Sequence, residues 1–296
     1  MTAQIESETY DTYSISELTA MAETGDLDAQ LALGITYENT EEYAQAFAWY
    51  SMAAEQGMAA AQCNLGNMYR DGLGIPQDYK LAFAWFGKAA ERGDVAAQYY
   101  LGLMYDDGEG LPQDVEAANG WFLKAAEQGD ADAQRIIGKA YFEGRGVPQN
   151  YEKAIGWYLK AIDQGDAASQ HNLALMYANG EGVPQDYQQS LAWLRKAADQ
   201  GFAGAELQLG YMHEYGYGVQ QDYKQAVAWY RKAAEQGLDT AQFNLGLKYL
   251  YGDGVMKDDL QAVALFRKVA EQGLLDAQSV LAEMFNDGAG VLENDR

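Results

Sequence analysis

Residues 61–93 read AQCNLGNMYRDGLGIPQDYKLAFAWFGKAAERG, and this stretch decides the fold because it returns along the chain every 36 residues. The six tryptophans keep that interval without exception, at Trp49, Trp85, Trp121, Trp157, Trp193 and Trp229. The four prolines keep it independently, at Pro76, Pro112, Pro148 and Pro184. A fixed interval of this length is typical of stacked supersecondary units. The sequence therefore predicts a repeat protein.

Apolar residues recur three and four positions apart within each repeat. Ala61, Leu65 and Tyr69 form one such series, and Ala82 and Trp85 begin another. This spacing places each series on one face of an α-helix and does not fit the alternation of a strand. Each repeat is therefore predicted to be a helical hairpin whose large side chains, tryptophan included, form the core. The predicted fold class is all-α.

Polar residues and glycines mark the predicted helix ends. A short side-chain oxygen that can accept from free helix amides precedes the second helix of six repeats, at Asp78, Asp114, Asn150, Asp186, Asp222 and Asp258. Glycine, which adopts a left-handed conformation at little cost, follows the second helix at Gly57, Gly93, Gly129, Gly165, Gly201, Gly237 and Gly273. These residues are predicted to cap and stop the helices.

The repeat pattern predicts four parts of the chain. Ser14 and Glu17 have the spacing of a capping box, so a single helix is expected before the first full repeat. The first repeat has a shorter loop, because residues 37–43 lack the four-residue Gly-x-Gly insert. The predicted parts are a frayed arm at 1–13, a capping half-repeat helix at 14–25, seven hairpins at 26–273, and a half-repeat helix with an acidic tail at 274–296.

The consensus of the repeats resembles that of the Sel-one-like repeats, relatives of the tetratricopeptide repeats. It consists of Ala-x-x-x-Leu-Gly-x-x-Tyr, then Gly-x-Gly-Val-x-x-Asp, then Ala-x-x-Trp-Tyr-x-Lys-Ala-Ala-x-x-Gly. The resemblance covers residues 26–292. The sequence departs from the family pattern at few positions, at Ala174, Ala282, His213 and Leu265. The resemblance implies a right-handed α/α superhelical solenoid. It also implies a non-enzymatic scaffold or adaptor, with an effector-neutralising, immunity-type binder as the alternative.

Acidic residues dominate the charge of the chain. The net charge is −24, and residues 1–69 carry 11 acids and no base. A solvated surface that keeps the protein soluble is the favoured interpretation, and a surface for a basic partner is the alternative. Nucleic acid is not expected as a partner, because it requires a positive footprint. Membrane insertion is not expected either, because no apolar run approaches a membrane-spanning length.

Cysteine and histidine are scarce. One cysteine, Cys63, excludes an intramolecular disulfide framework. Two histidines, in different repeats, offer no metal-ligand pattern, so no cofactor or catalytic residue is predicted. A hydrolase acting on cell-wall or β-lactam substrates, an activity associated with cysteine-rich relatives, is the less favoured alternative, since no Ser-x-x-Lys occurs. No signal-peptide pattern is seen, so a cytoplasmic protein is expected, or a periplasmic one if a leader was removed. A monomer is expected, with an oligomer left open.

The resemblance to tetratricopeptide repeats implies that first helices line a concave groove. Four positions of each first helix are expected there: one after the glutamine, one after the glycine, and one and two after the tyrosine. The candidate groove residues for a protein or peptide partner are Tyr99, Leu103, Arg135, Lys139, His171, Leu175, Leu207, Tyr211, Tyr215, Phe243, Leu247, Leu250 and Tyr251.

The later candidate residues are mostly aromatic or aliphatic, from His171 to Tyr251. Such a strip suits peptide recognition, because tyrosine and phenylalanine offer a large contact area at small entropic cost. The alternative is that these side chains only pack between neighbouring first helices. Among the earlier candidates, Arg135 and Lys139 carry positive charge and are expected to bind a carboxylate.

Overall fold

The computed structural model describes residues 13–286, and every regular element in that range is an α-helix. The predicted fold class is therefore confirmed. The predicted N-terminal arm, apart from Tyr13, and the acidic tail lie outside the described residues. The helices are α1 Ile15–Glu23, α2 Leu27–Asn39, α3 Tyr43–Glu55, α4 Ala59–Asp71, α5 Tyr79–Glu91, α6 Val95–Asp107, α7 Val115–Glu127, α8 Ala131–Glu143, α9 Tyr151–Asp163, α10 Ala167–Asn179, α11 Tyr187–Asp199, α12 Ala203–Tyr215, α13 Tyr223–Glu235, α14 Asp239–Tyr251, α15 Asp259–Glu271 and α16 Leu275–Asn286.

The chain divides into two compact units, Met1–Trp157 and Tyr158–Arg296, whose border falls inside α9. We call them the N-terminal and C-terminal units. In the N-terminal unit α2 to α7 form three hairpins, which are followed by α8 and the start of α9. In the C-terminal unit α10 to α15 form the fifth to seventh hairpins, which are followed by the single helix α16. Within each unit, a second helix also packs on the first helix that follows it.

The predicted helix ends are present. Asp78 accepts hydrogen bonds from the amides of Lys80 and Leu81 at 2.9 and 3.0 Å. Asn150 accepts one from the amide of Lys153 at 2.9 Å, and Ser14 and Glu17 form the capping box. The glycines after the second helices have φ between 78° and 101°. These angles lie in the left-handed region that favours glycine, so the stop positions are fixed by backbone conformation.

The short loop of the first hairpin holds a backbone conformation of its own. Glu41, between α2 and α3, has φ of 61° and is the only residue other than glycine with a positive φ among residues 13–286. The loops of the other hairpins use two glycines where this loop has none. A left-handed conformation costs a residue with a Cβ about 1–2 kcal/mol. The first loop therefore carries local strain.

The core of most hairpins joins a glycine of the first helix to an aromatic ring of the second. A Cβ added to Gly66 would lie 2.7 Å from the ring of Phe86, and Gly102 faces Phe122 in the same way. The fifth hairpin instead pairs Ala174 with Leu194, both fully buried. A methyl group on the first helix is thus matched by a smaller side chain on the second. The equivalent glycine and aromatic pairs are Gly34 with Tyr50, Gly210 with Tyr230, and Gly246 with Phe266.

The periodic tryptophans are less buried than the sequence analysis predicts. Each is only partly buried, whereas the residue after it, such as Phe86 after Trp85, is fully buried in the hairpin core. Trp85 packs against the core of the preceding hairpin, and the Nζ atom of Lys88 lies 3.7 Å from its ring centroid. The same contact occurs between Lys124 and Trp121, Lys196 and Trp193, and Lys232 and Trp229. The tryptophan therefore joins neighbouring hairpins and shields apolar surface at the exterior.

The recurring glutamine of the first helix connects successive helices. Gln98 donates to the carbonyl oxygen of Ala90 in the preceding second helix at 3.3 Å, and it accepts from Gln128 at the end of its own hairpin at 2.8 Å. The second hairpin lacks half of this pattern. Arg92 replaces the donor glutamine and binds the carbonyl oxygen of Gly57, and Oε1 of the buried Gln62 has no hydrogen-bond partner.

Candidate binding surface

The first-helix face is the set of four positions per hairpin at which the sequence analysis predicts a groove. In the N-terminal unit it includes Tyr99 and Leu103 on α6, which are half-buried and pack against the core of α7 and α8. The Tyr99 ring lies 5.8 Å from that of Phe122. Burial, followed by the negative charge of Asp132, raises the pKa of Tyr99. Tyr99 and Leu103 therefore pack into the core of α7 and α8 and expose only part of their surface.

The predicted cations of this unit are already paired. Arg135 donates to Asp132 one turn earlier on α8 at 2.8 Å. Lys139 lies 3.7 Å from Glu143, one turn later on the same helix. A carboxylate from a partner would compete with these acids. Exposed pairs of this kind contribute about 0.2–1 kcal/mol each, so they compete only weakly.

Aromatic and aliphatic candidates in the C-terminal unit also have one side in a core. Leu207 and Tyr211 on α12 pack against the core of α13, and Phe243, Leu247 and Leu250 pack against the core of α15 and α16. All five remain partly exposed. The alternative of packing between helices therefore accounts for part of each side chain, and the exposed remainder is a fixed apolar surface.

The candidates on α10 are His171 and Leu175, both half-buried. The His171 ring lies 5.3 Å from that of Phe202. Burial is the main cause that lowers the pKa of His171, so its imidazole is neutral at neutral pH. An uncharged His171 adds polar surface to the apolar strip and contributes no positive charge.

The last two candidates, Tyr215 and Tyr251, are the most exposed of the aromatic and aliphatic candidates, at 57% and 68%. They end α12 and α14, beside the loops of their hairpins. Tyr215 stands 6.3 Å from Tyr211 and 5.8 Å from Tyr217, measured between ring centroids. Tyr217 in turn stacks on Tyr187 at 5.4 Å. Sequence reasoning missed Tyr187 and Tyr217, because neither occupies one of the four first-helix positions.

A buried ion pair lies beside these tyrosines. Lys248 donates to Glu214 at 2.5 Å, and the hydroxyl of Tyr230 donates to the other carboxylate oxygen at 2.5 Å. The Lys248 and Glu214 side chains are only 8% and 13% exposed. Desolvation is the main cause that raises the pKa of Tyr230, and the hydrogen bond to the Glu214 carboxylate is the second. The hydroxyl of Tyr230 therefore keeps the proton that it donates. The signal in the sequence was a lysine at a position where most other first helices carry methionine: Met68, Met104, Met176, Met212 and Met284.

Residues 13–286 contain no group of three or more His, Cys, Asp and Glu side chains arranged to hold a metal ion. Within the same range, no helix has the length and apolar character needed to cross a membrane. Cys63, at the first position of the face in the second hairpin, is buried, and burial raises the pKa of its thiol.

Comparison with known proteins identifies the repeat. The family model of the Sel1 repeat matches eight consecutive segments, at 27–58, 59–94, 95–130, 131–166, 167–202, 203–238, 239–274 and 275–296. A protective antigen present in uropathogenic Escherichia coli strains, which displays an SLR fold, is 40% identical over 96% of this chain, with a TM-score of 0.83. The chain spans 62% of that protein's length.

A second solved structure, a Sel1 repeat protein from Oxalobacter formigenes, is 37% identical. It covers 91% of this chain and matches over 79% of its own length, with a TM-score of 0.77. No curated protein sequence matches the chain significantly. The unbroken series of matched segments shows that this chain belongs to the Sel1 repeat family.

Proposed function

We propose that the protein is a non-enzymatic scaffold that binds a protein partner on the first-helix face of its C-terminal unit. Sel1 repeat proteins generally act as protein-interaction scaffolds. The observation that carries the proposal is the exposure of Tyr215 and Tyr251 at the end of their helices. Equivalent positions in the other hairpins hold polar residues, namely Asn39, Asp71, Asp107, Glu143 and Asn179. The fold therefore does not require tyrosine there.

The neighbouring half-buried side chains support this proposal. Tyr211, Phe243 and Leu247 are held by the cores behind them, so little conformational entropy is lost when a partner covers their exposed sides. Exposed tyrosines beside a rigid apolar surface are typical of protein-binding sites, where a few aromatic residues carry most of the affinity. The paired cations of the N-terminal unit are proposed as a second, weaker contact for acidic groups.

Photo-cross-linking in the native cell tests the proposal. Benzoylphenylalanine placed at Tyr251 is expected to capture a specific protein, which mass spectrometry identifies. The same probe at Ala228, an exposed position on the second helix α13, serves as the matched control and is expected to capture nothing specific. Tyr251→Ala is then expected to weaken binding of the captured protein by about tenfold or more. Equal capture at both positions would contradict the proposal.

The effector-neutralising alternative uses the same kind of interaction and differs in the partner alone. Capture of a toxic effector at Tyr251 would identify that alternative. The cytoplasmic location remains a proposal, and fractionation of the native cell tests it.

A further inference from the structure

Four tyrosines form a continuous run of rings across the fifth and sixth hairpins. We call Tyr187, Tyr211, Tyr215 and Tyr217 the tyrosine cluster. The Tyr187 and Tyr217 rings are nearly parallel, with an interplanar angle of 14°, and those of Tyr211 and Tyr215 differ by 20°. Tyr211 is anchored at the inner end, because it packs edge-on against the buried Tyr230 and its hydroxyl accepts from Asn244 at 2.9 Å. The rings are therefore held in place before any partner arrives.

Of the outer members of the cluster, Tyr217 has no aromatic equivalent in another hairpin, whereas Tyr215 has one, Tyr251. Tyr217 is 46% exposed at the tip of the loop between α12 and α13. The equivalent loop residues are not aromatic: Leu73, Glu109, Arg145, Glu181 and Asp253. Since Tyr215 replaces the polar residues of the first five hairpins, two positions separated only by Gly216 carry exposed rings that the loop does not need for folding. Clustered exposed aromatics of this kind mark interaction sites.

Cations occupy aromatic faces elsewhere in this protein. Lysine lies over tryptophan on the second helices, and the guanidinium of Arg70 lies 4.6 Å from the centroid of the Tyr100 ring. No lysine or arginine of residues 13–286 lies over a ring of the tyrosine cluster. One face of Tyr217 stacks on Tyr187 and one face of Tyr215 on Tyr211, so a cation from outside would meet the exposed remainder of these two rings.

The charge around the cluster favours a positive ligand. Glu214 adjoins Tyr215 and raises its pKa, chiefly through its negative charge, while the paired Lys248 offsets part of that charge. Asp186 and Asp222 cap the helices that begin beside the cluster. Residues 158–286 carry 16 acids and 10 bases. An acidic peptide would be repelled here, and a basic one attracted.

We propose that the tyrosine cluster binds an arginine side chain within a basic segment of the partner. Arginine fits better than lysine, because a planar guanidinium stacks on tyrosine rings while its N–H groups remain free to donate to carboxylates. This inference rests on the proposed function and names the chemistry of the partner.

Peptide titration of the full chain tests the inference. The probes are acetyl-Arg-Arg-Arg amide, acetyl-Lys-Lys-Lys amide of equal charge, and the uncharged acetyl-Ser-Leu-Ser amide. Binding is followed by NMR of ¹³C-labelled tyrosine at physiological salt. The arginine peptide is expected to shift the signals of Tyr215 and Tyr217 and to bind about fivefold more tightly than the lysine peptide.

The variant with Tyr215→Asn and Tyr217→Leu removes both outer rings while using residues that the chain itself carries at equivalent positions, Asn179 and Leu73. It is expected to keep the helical content and to bind the arginine peptide about tenfold more weakly. Tyr215→Phe with Tyr217→Phe keeps the rings and is expected to retain the affinity. Tyr79→Val, which introduces the residue found at the equivalent Val115, removes a tyrosine outside the cluster and serves as the control that leaves affinity unchanged.

Equal affinity for the arginine and lysine peptides would overturn the inference, because it would indicate charge attraction without stacking. Tighter binding of the uncharged peptide, or no binding by any peptide, would also overturn it. The two proposals fail separately. If a partner is cross-linked at Tyr251 but the arginine peptide does not bind, only the proposal of the arginine site is overturned. If the arginine peptide binds but no partner is cross-linked, the arginine site is supported and the proposed scaffold function is overturned.

Discussion

The buried ion pair between the sixth and seventh hairpins gives the sharpest test of the energetics. Glu214, Tyr230 and Lys248 have direct equivalents one hairpin later, and these are Leu250, Phe266 and Met284. The chain therefore contains, in one protein, a charged version and an apolar version of the same three-residue contact. Glu38 and Tyr50 of the first hairpin repeat the carboxylate and hydroxyl part at 2.6 Å.

Glu214→Leu alone is expected to destabilise the protein strongly. The ammonium of Lys248 would be left with Asp253 at 3.6 Å, whose side chain is 42% exposed, and the hydroxyl of the fully buried Tyr230 would lose its acceptor. Removing one partner of a buried pair costs about 3–5 kcal/mol. Because Asp253 compensates part of the charge, the lower end of that range is expected.

The triple variant, Glu214→Leu with Tyr230→Phe and Lys248→Met, is expected to be at least as stable as the natural chain. It installs the residues that already pack in the seventh hairpin and its successor, and it avoids the desolvation of two charges. Replacing a buried ion pair by apolar residues of similar volume is neutral or stabilising by about 1–4 kcal/mol.

Urea unfolding followed by circular dichroism measures these differences, and amide hydrogen exchange in α12 to α15 locates them, because repeat arrays can unfold in parts. A triple variant as unstable as Glu214→Leu would contradict this expectation, since it would show that the attraction within the pair exceeds its desolvation cost. A single variant within about 0.5 kcal/mol of the natural chain would show that Lys248 reaches solvent or another acid.

Three other changes have expected outcomes. Glu41→Gly is expected to raise the free energy of unfolding by about 1 kcal/mol, because glycine relieves the positive φ at this position. Glu42→Gly, at φ of −83°, is expected to lower the free energy of unfolding. Urea titrations that show a lower free energy of unfolding for both variants would contradict this. Arg92→Gln is expected to supply Gln62 with its missing donor and to gain about 1 kcal/mol, with slower hydrogen exchange in α5 as the measurement. His171 has a lowered pKa, so the unfolded chain binds the additional proton once the pH falls below the ordinary value of about 6.5, and stability declines from there toward the lowered folded pKa. His171→Leu is expected to remove that part of the decline, and equal acid sensitivity of the two proteins in thermal melts would refute it.

Most of the fold could be predicted from the sequence, because it depends on local backbone chemistry that repeats. The cap at Asp78 and the positive φ of Gly93 are each set by a few neighbouring residues, and the period repeats the same signal many times. The relative burial of Trp85 and Phe86 was not predicted. Both are aromatic and adjacent on one helix, so only the packing of neighbouring hairpins decides which of them is fully enclosed.

The candidate site could be predicted only in outline. The positions of Tyr211 and Phe243 follow from the repeat, but their half-burial depends on contacts with other helices. The pairing of Arg135 with Asp132 could be inferred from their spacing on one helix. The contact between Lys248 and Glu214 joins residues 34 positions apart, so the sequence offered only the unusual lysine at a methionine position as a hint.

The ion pair between Lys248 and Glu214 limits which repeats can be duplicated without loss of stability. Repeat arrays lengthen when a segment is duplicated in tandem, so a duplicated hairpin has to fit the neighbour that it then meets. A second copy of the seventh hairpin placed directly after the first would bury the duplicated lysine against Leu250, with only the partly exposed Asp253 of its own hairpin as a carboxylate partner. A copy of the sixth and seventh hairpins together would bring Glu214 with it. Duplication of the sixth and seventh hairpins together is therefore expected to cost less stability than duplication of the seventh hairpin alone.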